Sequence, residues 1–68
     1  MDFLFVGTSD ENFDNGHIYK LVEISKDFNK QMYYTVFINK NNRLVEIYYN
    51  NLRVFNYNWV YKKSFGER

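Results

Sequence analysis

Between Gln31 and Asn39 the chain alternates without a fault. Met32, Tyr34, Val36 and Ile38 fall on one side, and Tyr33, Thr35 and Phe37 on the other. A period of two marks a strand, because successive side chains of extended backbone point to opposite faces. Lys40-Asn41-Asn42 interrupts the pattern, and Arg43 to Tyr49 resumes it, with Val45, Ile47 and Tyr49 opposed to Leu44, Glu46 and Tyr48. Two such runs joined by three polar residues predict a hairpin. An isolated hairpin is marginal in water, so further strands must pack with it. The chain is therefore expected to be all-β.

Other segments supply those strands. Phe3-Leu4-Phe5-Val6 is a short apolar run ended by Gly7. Residues 7–16, GTSDENFDNG, predict a long loop closed by the turn signal Asn15-Gly16. His17 to Ile24 predicts a strand whose face order shifts around Leu21-Val22, as a bulge would produce. Ser25 to Lys30 is a polar connection holding Phe28. Asn50-Asn51 breaks the fourth strand, with a single helical turn expected around Asn50 to Arg53. Val54 to Tyr61 is expected to close the fold as a last strand. Leu44, Ile47, Tyr48, Leu52, Phe55 and Trp59 also recur at helical spacing. The Val, Tyr, Phe and Asn content of that stretch is weakly helix-forming and favours the strand. The expectation is one domain over residues 1–68, a five-stranded barrel with a frayed tail at 62–68.

A domain of 68 residues buries only about 60% of its unfolded surface, so its stability depends on core quality. It has no cysteine to form disulfides or a thiolate metal site, and one histidine, His17. Aromatic residues make up 22% of the chain and must provide most of the core. If residues 53–61 alternate as a strand, Arg53, Phe55, Tyr57, Trp59 and Tyr61 share a side opposite Asn56 and Asn58. Unpaired buried amides are costly, so the aromatic side should face inward. Tyr57 and Trp59 are then expected to be the most buried, with Arg53 and Tyr61 as the exposed flank.

Gly16, Tyr19 and Leu21 after the long loop, then Tyr48, Tyr49, Leu52 and Phe55, form a pattern that resembles the small SH3-like barrel proteins of phages and prophages of low-GC Gram-positive bacteria. The likeness spans residues 3–61. It implies an SH3-like barrel, a short 3₁₀ turn before the last strand, and residence in the cytoplasm of a bacterial host cell. The segment Asn56 to Tyr61 is longer and more aromatic than that pattern. Phe, Tyr, Met, Ile, Asn and Lys supply 36 of the 68 residues, and their AT-rich codons fit a low-GC genome.

Catalysis requires an acid, a base or a nucleophile converging in a pocket. His17, following a turn, reads as a strand-edge residue, and no enzyme is expected. Asp10, Asn12 and Asp14 echo the start of a calcium loop, but the twelfth position from Asp10 is Leu21, not Glu. No metal, other cofactor or membrane span is expected. Residues 1–19 carry a charge of −4 and residues 20–68 a charge of +5. With an aromatic supply larger than so small an interior hides, this points to a binding surface. The candidate partner-binding residues are Asp10, Glu11, Asp14, Tyr33, Tyr48, Arg53, Tyr57 and Tyr61. The favoured partner is a host protein, and the effect an inhibition of a host enzyme or defence system. The alternative is single-stranded nucleic acid stacked on exposed aromatics beside Arg53, Lys62 and Lys63. Self-association through the aromatic strands is a third expectation.

Overall fold

The computed structural model describes residues 1–63. Its elements are β1 (Asp2–Phe5), β2 (Ile18–Asp27), β3 (Met32–Ile38), β4 (Leu44–Tyr49), α1 (Leu52–Asn58) and β5 (Trp59–Lys62). All strand pairings are antiparallel, in the order β4-β3-β2-β1-β5. The long strand β2 serves both halves. Its first residues pair with β1, and its remainder pairs with β3. The register slips between Leu21 and Glu23, where the face order of the sequence shifts. Such a bulge bends a strand and raises its twist, which lets one sheet wrap around one core.

The alternation of β3 and β4 holds in detail. Thr35 faces Ile47 and Phe37 faces Val45 on the inner side, while Tyr34 faces Tyr48 on the outer side. Thr35 and Phe37 are fully buried, and the Thr35 hydroxyl donates to the Ile47 carbonyl at 2.8 Å.

The region after β4 differs from expectation. In place of a single turn and an eight-residue strand, Leu52–Asn58 forms an α-helix, and the last strand begins only at Trp59. Two Asn side chains support this helix against its weak propensities. Asn51 caps its start by accepting from the Val54 amide at 3.0 Å, and the Asn58 amide donates to the Val54 carbonyl at 3.0 Å. Packing supplies the rest, because Phe55 lies edge-on to Phe3 and Tyr49. Tertiary burial of one helical stripe outweighs propensity in so short a helix.

That change reorders the expected aromatic row. Phe55 and Trp59, four residues apart, both point inward. Tyr57 lies on the other side of the helix and is 69% exposed, so its expected burial is overturned. Trp59 is 1% exposed, as expected, and Arg53 and Tyr61 lie at the surface.

The five-stranded sheet is not closed. β5 pairs with β1 alone and β4 with β3 alone among the described residues. A helix advances 1.5 Å per residue against about 3.3 Å in a strand, so coiling seven residues into α1 shortens the closing segment. The expected frayed tail falls mostly on residues 64–68, outside those described. Lys62, its first residue, closes β5.

The core is a continuous aromatic cluster of Phe3, Phe5, Phe13, Tyr19, Phe37, Tyr49, Phe55 and Trp59 with Leu21. Trp59 stacks on Phe37 with ring centroids 3.8 Å apart and planes 10° from parallel. Its indole N–H donates to the Tyr49 hydroxyl at 2.9 Å. Truncating this ring leaves a large cavity, so Trp59→Ala should cost about 3–5 kcal/mol and unfold most of the population. Tyr57→Ala should stay within about 0.5 kcal/mol of wild type. Urea denaturation followed by far-UV circular dichroism measures both.

Candidate functional site

The loop between β1 and β2 builds one wall of the candidate site. Phe13 drives it into the core, in contact with Phe5, Tyr19, Phe37 and Trp59. Asp10 shapes the loop, one carboxylate oxygen accepting from the amides of Asn12 and Phe13 at 2.8 and 2.9 Å. The Asp14 amide donates to the buried Tyr19 hydroxyl at 2.8 Å. Gly7 lets the loop leave β1, since a Cβ there would meet the Phe5 ring at 2.8 Å and also strike the Asn58 side chain. Gly16 sits at φ +87°, the left-handed region that its turn requires.

The β3–β4 hairpin clasps this loop. Buried Asn39 accepts the amides of Asn41 and Arg43 on its side-chain oxygen, and its side-chain amide donates to the Asn12 oxygen at 2.9 Å. The Lys40 amide donates to the Asn12 carbonyl at 2.9 Å. Its ammonium reaches the Asp10 carbonyl and the Asp14 carboxylate at 3.1 and 3.2 Å. These contacts fix loop and hairpin, and no strand among the described residues pairs with the far edge of β4.

Between the loop, β4 and the start of β5 lies a cleft of about 470 Å³. Phe5, Phe13, Val45, Ile47, Tyr49 and Trp59 supply its apolar lining, and Thr8, Asp10, Asn12, Glu46 and Asn58 its polar groups. Burial holds the Tyr49 hydroxyl above its ordinary pKa, partly offset by the hydrogen bond from Trp59. Tyr49 thus stays a neutral phenol, a polar handle on an apolar floor. A smaller polar depression of about 430 Å³ lies nearby, lined by Glu11, Asn12, Asn39, Asn41 and Arg43. Among the described residues, no group of three or more His, Asp or Glu side chains is placed to hold a metal ion. No helix among them is long and apolar enough to cross a membrane.

The sequence-derived candidates separate in space. Asp10 lines the cleft and Glu11 the smaller depression, while Asp14 pairs with Lys40 and so helps to hold the loop. Tyr33 lies opposite Tyr49 on the inner face of the sheet, but Tyr48 lies on the outer face. Arg53 and Tyr57 are exposed on α1, and Tyr61 packs its half-exposed ring against Phe3. They do not form one patch. Sequence reasoning missed Thr8, Val45, Glu46, Ile47 and Asn58. Alternation placed Val45 and Ile47 on one side with Tyr49, but it does not say which side faces inward or which loop lies against it.

A second cluster occupies the outer face. Tyr34 donates to the Glu46 carboxylate at 2.5 Å, and its ring lies 5.2 Å from that of Tyr48. Lys30 sits 4.5 Å over Tyr48, and on the inner face Lys26 sits 4.5 Å over Tyr33. Phe28, in the connecting turn, is 74% exposed. The hydrogen bond to Glu46 is the main reason the Tyr34 pKa is pushed up to about 12 from an ordinary 10.0. Ionising Tyr34 would remove the donor and set an anion beside a carboxylate.

No family model matches this chain, nor does any curated protein or solved structure.

The raised Tyr34 pKa has a sign that can be tested. Because the folded value lies above the unfolded one, the bond's contribution to stability is complete below pH 10 and is lost towards about 12. A spectrophotometric titration of tyrosinate at 295 nm should show one late-ionising phenol that disappears in Tyr34→Phe. In Glu46→Gln the same phenol should move back towards 10.

Proposed function

We propose that this chain is a non-enzymatic protein-docking module of the SH3-like kind, and that its cleft takes part of a protein partner. The observation that carries this reading is the unclosed seam. An aromatic and aliphatic floor, continuous with the core, opens between β4 and the loop and is rimmed by polar groups. An apolar centre with a polar rim is the usual anatomy of a docking surface. Strand order, the long loop after β1 and the short helix before β5 support the SH3-like assignment. The resemblance to phage and prophage proteins extends the proposal to a bacterial cytoplasm and a host protein as partner. A module of this size acts by occupying a surface, so inhibition of a host enzyme or defence system is the proposed effect.

One observation favours a second reading. Tyr34 and Tyr48 pair on the outer face beside Lys30, a platform on which a single-stranded base can stack. Glu46, bonded to Tyr34, and Glu23, which also raises its pKa, place negative charge where phosphates would run. Protein docking is therefore the preferred reading.

Affinity capture from a low-GC Gram-positive lysate distinguishes the two when wild type is run beside Thr8→Trp. Thr8 lines the cleft from an exposed position, so a large ring there fills the cleft without entering the core. A protein held by wild type and lost by Thr8→Trp is the expected result. Enrichment of nucleic acid alone, released by salt, would sink protein docking.

A further inference from the structure

The cleft is bordered by a strand with one edge unused. The Asn39 amide donates to the Arg43 carbonyl, which marks that pair as hydrogen-bonded across the hairpin. Hydrogen-bonded and non-hydrogen-bonded pairs alternate along an antiparallel ladder. Counting along the register from Asn39, the pairs Phe37 with Val45, Thr35 with Ile47 and Tyr33 with Tyr49 exchange bonds. Leu44, Glu46 and Tyr48 therefore aim their main-chain N–H and C=O groups away from β3. No strand among the described residues pairs with that side. A free edge is a template for another extended chain.

Side chains specify what that chain should carry. An added strand continues the pleat, so alternate residues point to opposite faces. Inward residues would meet Val45, Ile47 and Tyr49 over the cleft and must be apolar. Outward residues would lie beside Tyr48, whose ring already carries Lys30, and beside Glu46, where an opposite charge forms a favourable cross-strand pair. The charged residues that line the cleft are Asp10 and Glu46, both acidic. Glu46 accepts from Tyr34, yet a carboxylate has acceptor sites for a further cation.

We infer that an extended segment of a protein partner, with apolar residues alternating with Lys or Arg, adds to β4 as a sixth strand and seats its apolar side chains in the cleft. This rests on the protein-docking reading and specifies its geometry. Main-chain bonds to Leu44, Glu46 and Tyr48 hold the segment, and the cleft and Glu46 select its side chains.

Capped, fluorescently labelled synthetic peptides alternating Lys with Val and Phe test this by anisotropy at low salt. The controls are the same peptide with Glu for Lys, and one N-methylated at the amides that would face β4. N-methylation preserves the side chains and removes the donors. It should weaken binding by about tenfold or more, as should the change to Glu. On the protein side, Glu46→Pro deletes an outward N–H without taking a donor from the β3 ladder, a position where an edge strand tolerates proline. It should keep the wild-type circular dichroism and lose the peptide. If that variant does not fold, the N-methylated peptide decides.

Equal binding of the methylated and unmethylated peptides overturns strand addition, and equal binding of the Lys and Glu peptides overturns the basic occupant. Failure of every peptide also overturns the inference. If a lysate protein is then still captured in a manner sensitive to Thr8→Trp and indifferent to Glu46→Pro, protein docking survives without strand addition. If neither protein nor peptide binds, both readings fall.

Discussion

Trp59 stacked on Phe37 is the contact on which the rest of this structure depends. The two rings come from β5 and the C-terminal end of β3, strands that do not pair with each other, and their 3.8 Å separation ties the two halves of the sheet. Each remaining element reaches one of these two rings or a ring in contact with them. Phe5 approaches Trp59 from β1, Phe13 from the loop and Tyr19 from β2. Phe55 brings α1 against Phe37, and Tyr49 on β4 receives the indole N–H. Edge-to-face and offset contacts each contribute about 0.5–1.5 kcal/mol beyond area burial. In a chain without disulfides this mutual contact of aromatic rings substitutes for a covalent staple.

The same geometry leaves the domain open. Phe13 occupies the centre from the loop side, and the Asn12, Asn39 and Lys40 contacts fasten that loop to the tip of the hairpin. With the loop held there, β4 needs no strand on its far edge to anchor its inner face. β5 enters the core through its first residue, and among the described residues it pairs with β1 alone. The cleft is what remains between a fixed loop and an uncapped strand. Its floor is made of residues the core already requires, so binding and stability share Phe5, Phe13, Tyr49 and Trp59.

Three acidic residues of the loop looked alike in the sequence and have separate roles in the fold. Asp10 organises its own turn, Asp14 engages Lys40, and Glu11 lines a neighbouring polar depression. Local charge counts cannot separate these roles, because the Asp10 carboxylate finds its partners within three residues whereas the Asp14 partner, Lys40, lies 26 residues away on the hairpin.

The sequence by itself determined what local periodicity controls. Strict alternation placed β3 and β4 and sorted their residues into two sides without saying which faces inward, Gly16 marked the turn, and the slipped face order at Leu21-Val22 located the bulge. Burial of Trp59 was also expected, but from a strand alternation over residues 53–61 that the helix replaces, so the outcome held and its reason did not. Only the tertiary structure decided residues 52–62. Phe55 and Trp59 can share a face four apart on a helix or, with Tyr57, at alternate positions of a strand, and the intrinsic preferences of this stretch favour the strand. Packing of Phe55 against Phe3 and Tyr49, with Asn51 capping the first turn, reversed that preference and turned Tyr57 outward. The open edge of β4 follows from the same choice, because whether a strand finds a second neighbour depends on where a distant segment spends its length. That is a non-local quantity, and no window of the sequence contains it.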